Sequence, residues 1–213
     1  MAKQSYNQLI NPTGNYIGSN SHTPWPGGLS FRCHKPKMKN TITKLRENYK
    51  PEKVKCLFVA ESPPKSNDDE VRFFYNPRQE RWDQMYRAVM KVIFPHFKYR
   101  PGEKDKWLRK FQADGYYMID ATGTPINHSS ASERRRALND AVESKLREIG
   151  ELVSLETPVV LVKKNVFLAF NAPFRNAGYN VIHDSFLPFP SHGHQARFVA
   201  ACGDCLRRQQ RNR

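Results

Sequence analysis

The run Val54-Lys-Cys-Leu-Phe-Val-Ala60 constrains the fold more than any other segment of the chain. It is almost wholly apolar and does not alternate, the pattern of a strand covered on both faces in a parallel sheet. Three further runs repeat the theme: Tyr116-Tyr-Met-Ile119, Pro158-Val-Val-Leu-Val-Lys163 and the short Asn180-Val-Ile-His183. Helical spacing fills the intervals. Trp82, Met85, Tyr86, Val89, Met90 and Ile93 mark a helix over Gln79–Phe94, with Asn76-Pro77 as its cap and first turn. A short helix over Lys104–Gln112 follows. A long one carries Leu138, Val142, Leu146, Ile149 and Val153 on one face, with Ser130 and Glu133 as its capping box. Val166–Phe174 and Gln195–Gln209 complete the set. Strands alternating with helices long enough for crossovers predict an α/β fold. Its expected form is a three-layer α/β/α sandwich around a central, mostly parallel four-stranded sheet.

Before this pattern starts, Asn, Pro, Gly and Ser dominate up to Ser30, with Trp25 between two prolines. Residues 1–50 therefore read as an irregular basic N-terminal arm, with eight basic residues and one acid (Glu47), and 51–213 as the α/β domain. No apolar run approaches the ~20 residues of a membrane span, and the N-terminus has no apolar signal core. A soluble, cytoplasmic protein is expected. Charge narrows the partners: 35 Lys and Arg against 20 Asp and Glu give +15, a field that attracts polyanions. Nucleic acid fits better than a membrane surface, because no basic helix with a broad apolar face is evident. Four cysteines are too few and too unevenly spaced for a disulfide framework.

In open parallel sheets ligands bind outside the carboxyl ends of the strands. That rule selects the loops Glu61–Ser66, Asp120–His128 and Asp184–His194. Glu61, held by the Ser62-Pro63-Pro64 turn, suits a carboxylate that orients water or stabilises a cationic sugar; equally, it suits a strand-end partner of Lys65. Of Phe73 and Phe74, one is expected in the core and one in the pocket as a stacking surface for an extruded base. Asp120 sits with Thr122, Thr124 and Asn127 in a polar cluster. His192 and His194 fit hydrogen-bond donors to a departing base, or half of a metal site completed by Asp184, His183 or Asp120. Cys202-Gly-Asp-Cys205 reads either as a zinc knuckle with Cys33-His34 or as a buried helix face shared with Phe198 and Leu206.

Leu57-Phe-Val-Ala-Glu-Ser-Pro-Pro64 followed by Phe-Phe-Tyr-Asn-Pro77 resembles the first motif of the uracil-DNA glycosylase superfamily. Tyr116–Asp120 resembles its second strand, and Pro188-Phe-Pro-Ser-His-Gly-His194 its third motif, in the same order across residues 54–209. Four positions depart from that pattern. Ala60 stands for the first-loop Gly, and Ser62 for the water-activating Asp of the best-known branch, Glu61 matching branches with an acid one residue earlier. Asp120 stands for the base-reading Asn, and Phe189 falls where the third-motif His is expected.

The resemblance implies a DNA glycosylase acting on a base flipped out of DNA, as a monomer, with no cofactor and no metal, in repair or in defence against foreign modified DNA. It assigns catalysis to Glu61 and Asp120 with His192 or His194, and base binding to Phe74, Tyr75, Asp120 and Asn127. Backbone contacts fall to Ser62, Pro63, Pro64, Lys65 and Ser191. Asp120 favours a base with an amino group on its pairing edge, as cytosine has, over uracil. The rival readings are a non-catalytic nucleic-acid-binding relative and a metal-dependent nuclease using Asp120, Asp184, His192 and His194.

Overall fold

A computed structural model describes residues 35–65, 71–79, 81 and 83–211, with only the backbone for 35–40. Residues 1–34, with Cys33 and His34, lie outside the described residues, as do Ser66 and Trp82.

The sheet has β1 (Cys56–Ala60) at its centre, between β2 (Tyr116–Asp120) and β3 (Val159–Leu161), all parallel. Every residue of β1 and β3 is buried, as an unbroken apolar run requires. Gly115 sets the register of β1 and β2. Its carbonyl accepts from the Lys55 and Cys56 N–H groups at 2.7 and 3.3 Å, and Cys56 then pairs with Tyr116 through to Ala60 with Asp120. Gly115 has φ +85°, and a Cβ there would stand 2.7 Å from Lys55 Cγ and 3.1 Å from the Lys53 carbonyl. Only glycine fits that turn without strain.

The expected fourth strand does not form as a strand. The segment after residue 179 makes isolated bridges, Val159–Val181 with β3 and Val162–Leu187 just past it, and no continuous ladder. Between them the Leu161 N–H donates to His183 Nε2 (2.9 Å) instead of to a backbone carbonyl. His183 Nδ1 in turn lies 2.8 Å from the Ser185 carbonyl. An amide can only donate, so Nε2 is bare and the proton sits on Nδ1. Burial lowers the pKa of this imidazole and keeps it neutral.

Seven helices surround the sheet among the described residues: α1 (Lys35–Glu47), α2 (Gln84–Ile93), α3 (Lys104–Ala113), α4 (Ala131–Asp140), α5 (Val142–Leu152), α6 (Lys164–Asn176) and α7 (Gln195–Arg211). α2 packs on α7, α3 on β2, α6 on β3, and α4 and α5 on α6. α1 falls inside the stretch expected to be irregular. Met38, Ile42, Leu45 and Tyr49 recur at helical spacing there, and Ile42 and Tyr49 are buried. α2 starts five residues later than its apolar periodicity suggested, because Asp83 and not Asn76 caps it, accepting from the Tyr86 N–H at 3.1 Å. The long helix after Ser130 breaks at Ala141 into α4 and α5, while the capping box of Ser130 and Glu133 forms as expected. Beneath α2 and α3, Lys104 Nζ and Asp83 Oδ2 make an ion pair at 2.5 Å with side chains 1% and 8% exposed. Lys104 also donates to the Phe73 carbonyl at 3.4 Å, tying α3 to the aromatic segment before α2. No described helix is long and apolar enough to cross a membrane.

Candidate functional site

Glu61 leaves the carboxyl end of β1, the central strand, and is 7% exposed. A carboxylate that deep needs partners, and it has three. Lys163 Nζ donates to Oε2, Asn165 Nδ2 donates to Oε1 at 3.1 Å, and Arg134 Nε stands 3.8 Å from Oε1. Two cations against one carboxylate leave the cluster with an excess of one positive charge.

The local backbone explains how these groups meet. Lys163, just past β3, has φ 85° and ψ 143°, a left-handed conformation that costs a non-glycine residue about 1–3 kcal/mol. It turns the chain directly into α6, which delivers Asn165 one residue into the helix. Arg134, in the first turn of α4, binds the preceding loop by donating to the carbonyls of Ile126 (3.4 Å), Asn127 (3.1 Å) and Ser129 (3.4 Å). The loops after β1 and β2 are also joined to each other. The Lys65 N–H donates to Asn127 Oδ1 (3.3 Å), the Ile126 N–H to Ser62 Oγ (3.4 Å), and the Thr122 N–H to the Glu61 carbonyl (3.2 Å). Pro63 is buried and Pro64 half-buried under this seam.

Lys163 also ties in the third loop, its Nζ lying 5.4 Å from the centre of the Phe189 ring. That ring occupies the position where the resemblance expects a histidine. His192 and His194 are exposed, and His192 Nδ1 lies 2.9 Å from Ser191 Oγ, a contact within the loop itself. Neither histidine has a described contact with Glu61.

Asp120 ends β2 and is 8% exposed. Burial pushes its carboxyl up to about 6, against the pull of Arg46 and Lys145, with Glu148 adding to the rise. Those charges belong to α1 and α5, so the side chain answers to a different environment from that of Glu61. Phe74 and Tyr75 correct the expectation of a stacking ring: with Phe73 they are 7%, 0% and 6% exposed. Tyr75 is stacked on Tyr49 and accepts from the Met118 N–H at 2.6 Å, and Phe74 meets Tyr75 and Tyr86 edge-on. Three adjacent aromatics beside the apolar faces of α2 and α3 bury more surface as core than as a pocket wall.

Cys202 and Cys205 are buried free thiols on α7, the buried-face alternative of the two read from their spacing; Cys33 lies outside the described residues. Among the described residues no three His, Cys, Asp or Glu side chains gather to hold a metal ion. A cavity of about 450 Å³ lies at the amino end of β1, lined by Pro51, Glu52, Lys53, Lys55, Gln112 and Ala113, away from Glu61. The converging charges at the carboxyl edge, and not cavity volume, locate the site.

Lys163, Asn165 and Arg134 were not singled out by sequence reasoning, and Phe189 was noted only as standing where the resemblance expects a histidine. The carboxyl-edge rule could have found the first two, had it been applied to the third apolar run, which ends at Lys163. Arg134 gave no signal, because it reads as one of three arginines on an exposed helix. Searched against known protein families and curated proteins, the sequence matches none of them.

Proposed function

We propose that this chain is a DNA glycosylase, a divergent member of the uracil-DNA glycosylase superfamily with a three-layer α/β/α architecture. It hydrolyses the N-glycosidic bond of a base flipped out of DNA. The observation that carries the reading is Glu61: a carboxylate 7% exposed and held by Lys163 and Asn165 at the carboxyl end of the central strand. When the bond from C1′ to the base breaks, its electron pair leaves with the base and positive charge develops on the sugar. A fixed carboxylate below that sugar stabilises the charge and aligns the water whose oxygen bonds to C1′. The water's surplus proton passes through Glu61 towards the departing base. Arg134 and Lys163 suit the phosphates on either side of the flipped nucleotide. A phosphate that draws Lys163 away unmasks the Glu61 charge as substrate settles. Asp120, on the neighbouring strand end, is assigned to the base edge. A carboxyl titrating at about 6 both accepts and, when protonated, donates, which matches cytosine-type bases better than uracil.

A second reading has its own observation. Lys163 and Arg134 more than offset the charge of Glu61 and leave a net positive cluster, which suits a protein that binds nucleic acid without cutting a glycosidic bond.

One experiment separates the two. Oligonucleotides carrying uracil and a series of cytosine-derived bases are incubated with wild-type protein and with Glu61→Gln, and abasic sites are counted. The glycosylase reading expects abasic sites, fastest with a cytosine-type base, and their loss by about a hundredfold or more in the variant with DNA binding retained. Binding without abasic sites on any substrate supports the second reading.

A further inference from the structure

Phe186 and Phe189 are 47% and 38% exposed, large rings facing solvent on the loop that approaches Glu61. Each is paired with a lysine: Lys164 Nζ lies 5.4 Å from the Phe186 ring centre and Lys163 Nζ 5.4 Å from that of Phe189. Lys163 and Lys164 reach the same loop where the chain turns at Lys163, with φ 85°, from the end of β3 into α6. The loop itself is anchored. Leu187, between the rings, is buried and bridges to Val162; Pro188 and the buried Pro190 flank Phe189, and the Ser191 N–H donates to the Phe189 carbonyl at 2.8 Å. Two fixed, exposed aromatic rings with consecutive ammonium groups beside them form an alternation of flat apolar faces and positive charges. A single nucleic-acid strand presents the complement, flat bases and negative phosphates, whereas in a duplex the base faces are already stacked on one another.

We propose that Phe186 and Phe189 form a stacking platform for two unpaired bases of a single-stranded nucleic acid, with Lys163 and Lys164 taking the phosphates between them. The inference deepens the proposed function by naming the strand state. It rests on the nucleic-acid part of that reading and not on base excision.

Full-length protein is titrated by fluorescence anisotropy against a labelled single strand, the same sequence as a duplex, its RNA counterpart, and anionic phospholipid vesicles. Wild type is expected to prefer single strands. Phe186→Ala and Phe189→Ala are each expected to weaken single-strand binding about tenfold and to leave duplex binding nearly unchanged, with tryptophan at either position restoring it. Lys164→Ala is expected to flatten the single-strand salt dependence by about 0.7 in log–log slope. Both rings are exposed, so loss of folding is not expected, and circular dichroism checks it. As an independent reading, 2-aminopurine in the single strand should be quenched by wild type and not by the double variant. Equal losses on duplex, no loss at all, or ring-dependent binding to vesicles in preference to oligonucleotides overturns the platform. DNA against RNA affinity identifies which strand is taken. Ring-dependent binding without excision counts against the glycosylase alone, and excision without ring dependence counts against the platform alone.

Discussion

Replacing Asp120 by Asn should stabilise this protein, and by an amount that depends on pH in a defined way. Burial at the end of β2 raises the Asp120 carboxyl from 3.8 to about 6. The native state thus binds this proton more tightly than the unfolded chain does. Between those two values the folded protein holds more protons, so stability falls as pH rises through that window. Above pH 6 the penalty is complete. At about 1.4 kcal/mol per pH unit it amounts to about 3 kcal/mol. Asn has the shape of the protonated acid and cannot ionise. The variant should therefore match wild type near pH 4 and exceed it by about 3 kcal/mol at pH 7, a rise in Tm of about 10 °C for a domain this size. Urea denaturation of both proteins at pH 4, 5, 6 and 7, at one ionic strength, measures the difference directly. The titration of His183 is common to both proteins and drops out. A difference that stays constant with pH, or a variant less stable than wild type at pH 7, refutes the argument that desolvation dominates at Asp120.

Removing Lys104 by Lys104→Met leaves Asp83 buried and unpaired and should cost about 3–5 kcal/mol in a denaturant titration, whereas Lys104→Met with Asp83→Asn should recover most of it; a double variant no better than the single one refutes the charge argument. Gly115→Ala should destabilise by about 1–3 kcal/mol in the same assay, since its φ is +85° and the new methyl meets Lys55 Cγ at 2.7 Å; an unchanged midpoint would show that the turn relaxes freely. DNA affinity should fall steeply and linearly on a log–log salt plot, as +15 and counterion release require; a flat plot removes nucleic acid as the partner.

Much of the fold was legible because burial on both faces leaves a strand little choice of residue. The runs at Val54–Ala60, Tyr116–Ile119 and Pro158–Lys163 could be placed within a few residues for that reason. The capping box at Ser130 was legible because it is a local contact. Glu61 was legible by position alone, at the carboxyl end of a buried strand. What escaped depends on contacts distant in sequence. The fourth strand looked like the others, but nothing local says that the imidazole at its end will take the Leu161 N–H, 22 residues away in sequence. Phe74 and Tyr75 were expected at the base and one of Phe73 and Phe74 in the core, but all three are buried among Tyr49, Tyr86 and Phe111. Arg134 became part of the site only because its loop folds back over the end of β1.

The neutral imidazole of His183 has a further consequence for the edge of the sheet. The outer edge of β3 is the kind of surface on which a foreign strand adds by pairing amide to carbonyl. Here the Leu161 N–H, at the end of that edge, is taken by a side chain, and the segment beyond it runs into Pro188 and Pro190, which have no amide proton to offer. The closure is chemical: an imidazole protonated on both nitrogens has no lone pair left for the Leu161 N–H. Protonation of the second nitrogen removes the acceptor that the Leu161 N–H uses, and burial, by lowering the pKa of this imidazole, moves that loss to lower pH.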